Sequence, residues 1–321
     1  MIDLEWWLWF ADSMISVVFP ACNEEENVEE LHSRLKKVLG SLGEKYEIIA
    51  VDDGSTDATQ EKLLSLSPIK VVVLSRNYGQ NSALDAGLKQ AKGNIVITID
   101  GDLQNPPEEI VKLLVKLKEG YDAVVGWRKN RHDPLPRKIF SKFSNSLISR
   151  LTGVKLHDFS CALKCYRREY IDEIRLLGET FIFLPLFALA RGARLTEVEI
   201  RHEPRRRGLS KHNLKEMTGV LFDLLTVKFL LSYFGKPLRF FGSLAFIFWS
   251  VAFLGYVWAT VLKLMDYRNY SDTPLPLLGT MFVILGVIVF MMGLLAEVLL
   301  RIYHRTENVS FYSIKKVVER T

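Results

Sequence analysis

The chain has 321 residues, 49% of them hydrophobic, and a net charge of +5, a length that accommodates two globular domains. Its three cysteines, Cys22, Cys161 and Cys165, are odd in number and have no second pair or histidine partner at zinc spacing. A disulfide framework and a zinc site are therefore excluded, free buried thiols in a reducing compartment are expected, and no nucleic-acid partner is indicated.

From Met14 onward, apolar strands alternate with amphipathic helices. The pattern predicts strand Ile15 to Phe19, helix Glu25 to Leu39, strand Glu47 to Val51 and helix Asp57 to Leu66. It continues with strand Lys70 to Leu74, helix Asn81 to Ala91, strand Ile95 to Ile99 and helix Pro107 to Lys118. This order implies a mostly parallel sheet with helices on both faces. After a strand at Ala123 to Gly126 the alternation degrades into a long helix, about Leu135 to Leu151, and short strands near Leu163 to Tyr166 and Glu197 to His202.

Residues Asn213 to Phe234 place Leu214, Met217, Leu221, Leu224, Leu225 and Phe229 at helical spacing, so an amphipathic helix in the membrane interface is expected there. Two uncharged runs follow, Phe240 to Leu262 and Thr273 to Ala296, each long enough to cross a bilayer core as a helix. Basic residues gather outside the pair: Lys228, Lys236 and Arg239 before it, and Arg301, Arg305, Lys315, Lys316 and Arg320 after it. Both termini are therefore expected in the cytoplasm. No cleavable signal is expected before the soluble part, and Trp6, Trp7, Trp9 and Phe10 read equally as a membrane-interface contact or as packing on the domain.

The strand Ile95 to Ile99 ends in Asp100-Gly101-Asp102-Leu103-Gln104. Two carboxylates at the carboxyl end of a strand lie where open α/β sheets bind ligands, and with the amide oxygen of Gln104 they are hard donors suited to Mg²⁺ or Mn²⁺. Gly101 would let a phosphate approach the backbone. An isolated Asp-x-Asp is more often a solvated turn, so the other strand ends carry weight. They are Phe19-Pro20-Ala21-Cys22-Asn23-Glu24, Val51-Asp52-Asp53-Gly54-Ser55-Thr56-Asp57 and Ser75-Arg76-Asn77-Tyr78-Gly79-Gln80.

Taken in that order, these motifs resemble family 2 glycosyltransferases, and the chain is similar to the polyprenyl-phosphate glycosyltransferases with two C-terminal membrane helices, relatives of dolichyl-phosphate mannose synthase. The resemblance covers Met14 to Lys316 and implies an α/β nucleotide-diphospho-sugar domain of the GT-A type. The expected organisation is an N-terminal aromatic segment (1–13), the catalytic domain (14–211), an interfacial helix (212–235), two transmembrane helices (236–304) and a cytoplasmic tail (305–321).

The resemblance assigns Pro20, Asn23, Glu24, Asp52, Asp53 and Gly101 to the nucleotide, and Asp100, Asp102 and Gln104 to the metal on its diphosphate. It assigns Arg128, Arg137 and Ser141 to the acceptor phosphate. In Arg205-Arg206-Arg207-Gly208-Leu209-Ser210-Lys211 it selects Arg205 and Lys211 as diphosphate and acceptor contacts, leaving Arg206 and Arg207 to face anionic headgroups. Asp158 is expected to orient the acceptor and the arginines rather than abstract a proton, because a phosphate monoester is already largely dianionic at pH 7. Glu179-Thr180-Phe181 and its apolar continuation to Leu189 resemble the segment under the sugar pocket, and read equally as a core helix.

The expected reaction is inverting transfer of glucose from UDP-glucose to undecaprenyl phosphate at the cytoplasmic face of the inner membrane, as in bacterial enzymes that prime O-antigen or cell-envelope glucosylation. A mannosyl or aminoarabinosyl donor is the first alternative, and a polysaccharide synthase or an inactive membrane scaffold comes behind. Gly242, Gly255, Gly279, Gly286 and Gly293 would permit close helix packing or a homo-oligomer.

Overall fold

The computed structural model describes residues 13–129, 149–150, 152–172, 174, 180–204, 237–305 and 312–320. The chain divides into two compact units, Met1–Val227 with Ser310–Thr321, and Lys228–Val309.

In the first unit, the expected alternation appears as β1 (Met14–Ala21), α1 (Val28–Ser41), β2 (Lys45–Asp52), α2 (Thr59–Ser65), β3 (Ile69–Leu74), α3 (Gln80–Gln90) and β4 (Ile95–Thr98). Next come a 3₁₀ turn at Pro107–Glu109, α4 (Ile110–Lys118), β5 (Ala123–Trp127), β6 (Lys164–Arg167), further 3₁₀ turns at Arg168–Tyr170 and Thr180–Phe183, α5 (Leu184–Ala190) and β7 (Leu195–Glu199). Strands β1 to β4 are β-branched and almost wholly buried, as strands covered on both faces must be. Helix α1 starts three residues later than periodicity suggests. Glu24 and Glu25 are held before it, their backbone N–H groups donating to Thr59 Oγ1 and Asp57 Oδ2.

With a last strand, β8 (Ile314–Arg320), the sheet among the described residues has eight strands in the order β7-β5-β6-β4-β1-β2-β3-β8. Neighbours β3, β2, β1 and β4 run parallel, β6 runs antiparallel between β4 and β5, and β7 is parallel to β5. The sheet is thus mixed. The carboxyl ends of β3, β2, β1, β4 and β5 and the first residue of β6 all lie along one edge. Strand β7 ends at Glu199, short of the expected His202.

Strand β8 (Ile314–Arg320) falls in the segment expected as a tail, and pairs antiparallel with β3 from Ile69↔Arg320 to Leu74↔Ile314. Tyr312 packs against the core just before it, and Glu319 lies 3.9 Å from the buried Lys70.

The second unit is an antiparallel hairpin of α6 (Pro237–Leu264) and α7 (Leu275–Arg305). Both are long and apolar enough to cross a membrane, with outer faces rich in exposed Phe, Leu, Ile and Val. Along α6 the buried Ala245, Ala252 and Ala259 recur every seventh residue. Along α7, Gly279, Gly286 and Gly293 do the same, each facing an α6 side chain: Tyr256, Trp249 and Phe241 respectively. A Cβ on Gly286 would sit 2.3 Å from the Trp249 indole nitrogen, which donates to the Val283 carbonyl at 3.3 Å. Tyr256 and Thr280 share a hydroxyl hydrogen bond of 2.8 Å. Small residues therefore serve the packing of the hairpin on itself. Gly242 and Gly255 have nothing near their Cβ positions.

The expected N-terminal aromatic segment, the long helix near 135–151 except for two of its residues, and the interfacial helix lie outside the described residues.

Candidate active site

Strand β4 delivers Asp100 to the centre of the sheet's carboxyl edge. Its next residues turn sharply: Leu103 takes a left-handed φ of 60°, costly for a branched side chain but enforced by burying it at 4% exposure. Asp102 Oδ1 accepts from the Gln104 N–H at 3.1 Å, which closes the turn. Gln80, first residue of α3, donates from Nε2 to Asp100 Oδ1 at 2.7 Å. Desolvation, with the Asp102 charge beside it, pushes Asp100 up to about 7. Two acids crowded this way favour a nearby cation, and their carboxylate oxygens are donors of the kind that suits Mg²⁺ or Mn²⁺. Among the described residues no group of three or more acids, histidines or cysteines could hold a metal ion, so such an ion would draw its remaining ligands from elsewhere.

Gly101 has a steric reason beside the expected one. A Cβ there would lie 2.8 Å from the Pro20 carbonyl oxygen, so glycine lets the end of β1 press against the acid turn. Pro20 is thereby placed beside the acids, and Asn23 and Glu24 follow in the same loop. Asn23 adopts φ 54° and accepts from the Thr56 N–H at 2.8 Å, while its own N–H donates to Ser55 Oγ. Glu24 Oε2 accepts from Asn27 at 2.7 Å.

Asp52 and Asp53 leave the end of β2 with different duties. Asp52 is buried and caps its own turn by accepting from the Ser55 N–H at 3.0 Å. Asp53, also buried, accepts from the Tyr78 and Gly79 N–H groups at 2.7 and 2.9 Å, so it fixes the loop that carries Gln80 to Asp100. Gly54 at φ 63° completes this junction, since a Cβ would strike the Arg76 carbonyl carbon at 2.4 Å.

On the far side of β4, Arg128 and Asp158 form a two-point ion pair, Nε to Oδ2 at 2.7 Å and Nη2 to Oδ1 at 3.0 Å. Ser160 joins both, accepting from Arg128 at 2.9 Å and donating to Asp158 at 3.0 Å. Burial pulls the Arg128 pKa down, and the Asp158 charge outweighs it, leaving the guanidinium permanently charged. Both Asp158 oxygens are thus committed.

The Glu203 N–H donates to the Gln104 carbonyl at 2.9 Å, so the chain enters residues 205–211 from beside the acid turn. Arg205, Arg206, Arg207 and Lys211, like Arg137, Ser141 and Glu179, lie outside the described residues. Cys161 and Cys165 are free and buried as expected, and burial pushes the Cys161 thiol up to about 12. Cys22 is free but half-exposed, accepting from Asn77. Thr180 to Ala190 forms a 3₁₀ turn and a helix with Phe183 and Leu184 wholly buried, a packing that suits a core element and the floor of a sugar pocket alike.

Sequence reasoning assigned no role to Gln80, Ser160 or Lys164. Gln80 stood in a quoted motif without a partner, and a lysine opening an apolar strand was the only signal at Lys164.

A mixed sheet with an acid turn at the end of a central strand and a capped acidic turn beside it defines a nucleotide-sugar transferase of the GT-A type. The chain belongs to glycosyl transferase family 2, whose model matches residues 16–175, and the GtrB C-terminal hairpin matches residues 236–302. It is a glycosyltransferase. It is 36% identical over 314 residues to dodecaprenyl-phosphate galacturonate synthase of Rhizobium johnstonii, covering 95% of this chain and 93% of that one. It is 38% identical over 310 residues to undecaprenyl-phosphate 4-deoxy-4-formamido-L-arabinose transferase of Proteus mirabilis, covering 95% and 94%. Among solved structures, glucosyl-3-phosphoglycerate synthase of Mycobacterium tuberculosis with Mn²⁺, UDP and glucosyl-3-phosphoglycerate superposes with a TM-score of 0.56 at 23% identity, over 70% of this chain and 82% of that one. That likeness concerns the fold.

Proposed function

We propose that this enzyme transfers a sugar from a nucleoside diphosphate to the phosphate of a polyprenyl phosphate, with inversion, at the cytoplasmic membrane face. The observation that carries the reading is the joint placement of the crowded Asp100–Asp102 turn and the buried Arg128–Asp158 pair on one sheet edge. An acid pair for a diphosphate-bound cation and a fixed guanidinium for a second phosphate are what this transfer needs. The relatives' names support the lipid acceptor, and the apolar hairpin supports a place in the membrane.

Asp100, Asp102 and Gln104 would hold Mg²⁺ or Mn²⁺, which when bound supplies positive charge against the departing diphosphate. Asp52, Asp53, Asn23, Glu24 and Pro20 shape the nucleoside end, Asp52 and Asp53 through the turns they hold. Arg128, kept rigid by Asp158 and Ser160, presents its charge to the acceptor phosphate, with Arg137 and Ser141 assigned beside it. Asp158 acts by orientation, since the dianionic phosphate needs no base. Arg205 and Lys211 are assigned to close over the diphosphate from the segment that Glu203 pins to Gln104.

UDP-glucose is the donor expected from sequence, and the relatives' names make galacturonate and a 4-formamido-arabinose its competitors. The test is a donor panel with undecaprenyl phosphate and Mn²⁺, product identified by mass. One donor should give a metal-dependent lipid-linked sugar, and Asp102→Asn should lower that rate by about 100-fold. Undiminished transfer by Asp102→Asn, or no lipid product from any donor, would sink the reading.

Strand β8 supports the topology. It follows the hairpin and pairs with β3, so a chain that leaves the catalytic unit through α6 must come back to the same side. The basic flanks agree with a cytoplasmic side.

A further inference from the structure

A lysine side chain that the proposed reaction does not use lies wholly buried beside the acid turn. Lys164 is 0% exposed and opens β6, where it pairs with Thr98, two residues before Asp100. Its Nζ donates to the Phe181 carbonyl at 2.9 Å and stands 4.1 Å from the centre of the Phe181 ring. An ammonium has three donors, and among the described residues no carboxylate lies within ion-pair distance of this one. Burying a charge without a close counter-ion is costly, so a core position that retains lysine calls for a compensating reason.

The order of strands supplies one. Along the carboxyl edge the nucleoside loops leave β1 and β2, the acid turn leaves β4, and β6 comes next. A sugar nucleotide laid with its nucleoside over β1 and β2 and its diphosphate at Asp100 and Asp102 therefore puts its sugar over β6. The 3₁₀ turn Thr180–Phe183 packs there, its Phe181 sharing a core cluster with Ala83 and Leu84 of α3, the helix whose Gln80 holds Asp100.

We infer that Lys164 is a positioning residue for the transferred sugar: by holding the Phe181 carbonyl and ring it fixes the turn against which the sugar is seated. This rests on the proposed donor, and it extends that reading to a residue that touches neither diphosphate nor acceptor. The position is consistent with the depressed basicity of Lys164, which burial lowers to about 7 against the pull of Cys161, Asp158 and Asp100.

The test uses the full chain in detergent with Mn²⁺, and compares binding of UDP, binding of the UDP-sugar that the wild type transfers, and kcat. UDP-glucose and UDP-galacturonate are the first probes. Lys164→Met should leave UDP affinity within about threefold of wild type while kcat falls about tenfold or more and the UDP-sugar loses its advantage over UDP. Phe181→Leu keeps the carbonyl and removes the ring. It should shift kcat and sugar preference the same way to a smaller extent, and it decides the matter if Lys164→Met does not fold. Equal loss for UDP and UDP-sugar would make Lys164 a stability residue only and overturn the inference, as would unchanged kcat and KM in both variants. A wild type that transfers no sugar would overturn the proposed function and this inference together, whereas an active wild type with indifferent variants overturns the inference alone.

Discussion

Asp53, expected at the nucleotide, acts on the loop that carries Gln80. Its two oxygens accept the Tyr78 and Gly79 N–H groups, so Asp53→Ala would leave two backbone donors unsatisfied, at about 1–3 kcal/mol of stability. A lowered Tm that UDP-sugar partly restores is the expected result, measured by thermal unfolding in detergent. An unchanged Tm with lost UDP binding would instead make Asp53 a direct ligand. Asp100 carries the pH dependence. Its folded pKa of about 7 lies above the usual carboxylate value, so the folded state binds the extra proton and this group's contribution to stability falls as pH rises from about 4 to 7. Lys164 has the opposite sign: with a folded pKa of about 7, lowered from 10.5, its contribution rises as pH climbs from about 7 to 10.5. A divalent cation needs Asp100 ionised. Mn²⁺ should therefore raise Tm more at pH 8 than at pH 5, and an equal shift at both values would remove Asp100 from the metal site.

At the scale of elements, the motifs that follow β1, β2, β3 and β4 were legible because each joins a β-branched strand to a polar turn, a pattern set by local chemistry. Strand β8 was not. Ile314 to Arg320 carries four charges in seven residues and reads as a tail, and only the open edge of β3 gives it a partner. Strand β6 was legible as a strand but not as the antiparallel member between β4 and β5, since direction within a sheet is decided by long-range packing. In the hairpin, glycines foreseen as packing positions proved selective: those of α7 receive aromatic rings from α6, and those of α6 receive nothing. Gly286→Leu should consequently displace Trp249 and separate the helices. The expected readout is a loss of crosslinking between cysteines introduced at Ser250 and Val283, while Gly255→Leu, with open space at its Cβ, leaves crosslinking intact.

At the scale of the whole molecule, the catalytic unit is built from chain on both sides of the hairpin in sequence. This arrangement makes the topology testable. A cysteine added after Thr321 should stay closed to a membrane-impermeant thiol reagent in intact spheroplasts and become labelled when the membrane is opened. Labelling before opening would place the C-terminus outside and overturn the proposed cytoplasmic placement of the unit that β8 completes.

What the sequence determined by itself was class and chemistry: alternating strands and helices, the acid turn after β4, the two apolar spans, and the basic residues flanking them. These rest on short-range regularities, the periods of strand and helix and the residue types that a metal or a phosphate requires. Only the tertiary structure decided which acids hold turns and which crowd together, that Gly101 makes room for the Pro20 carbonyl, and that Arg128 is locked by Asp158. It alone set Lys164 beside Thr98 with its ammonium on the Phe181 carbonyl, and brought strand β8 to the first unit's open side. Each of these depends on distances between residues far apart in the chain, and such distances are fixed by packing rather than by any local pattern.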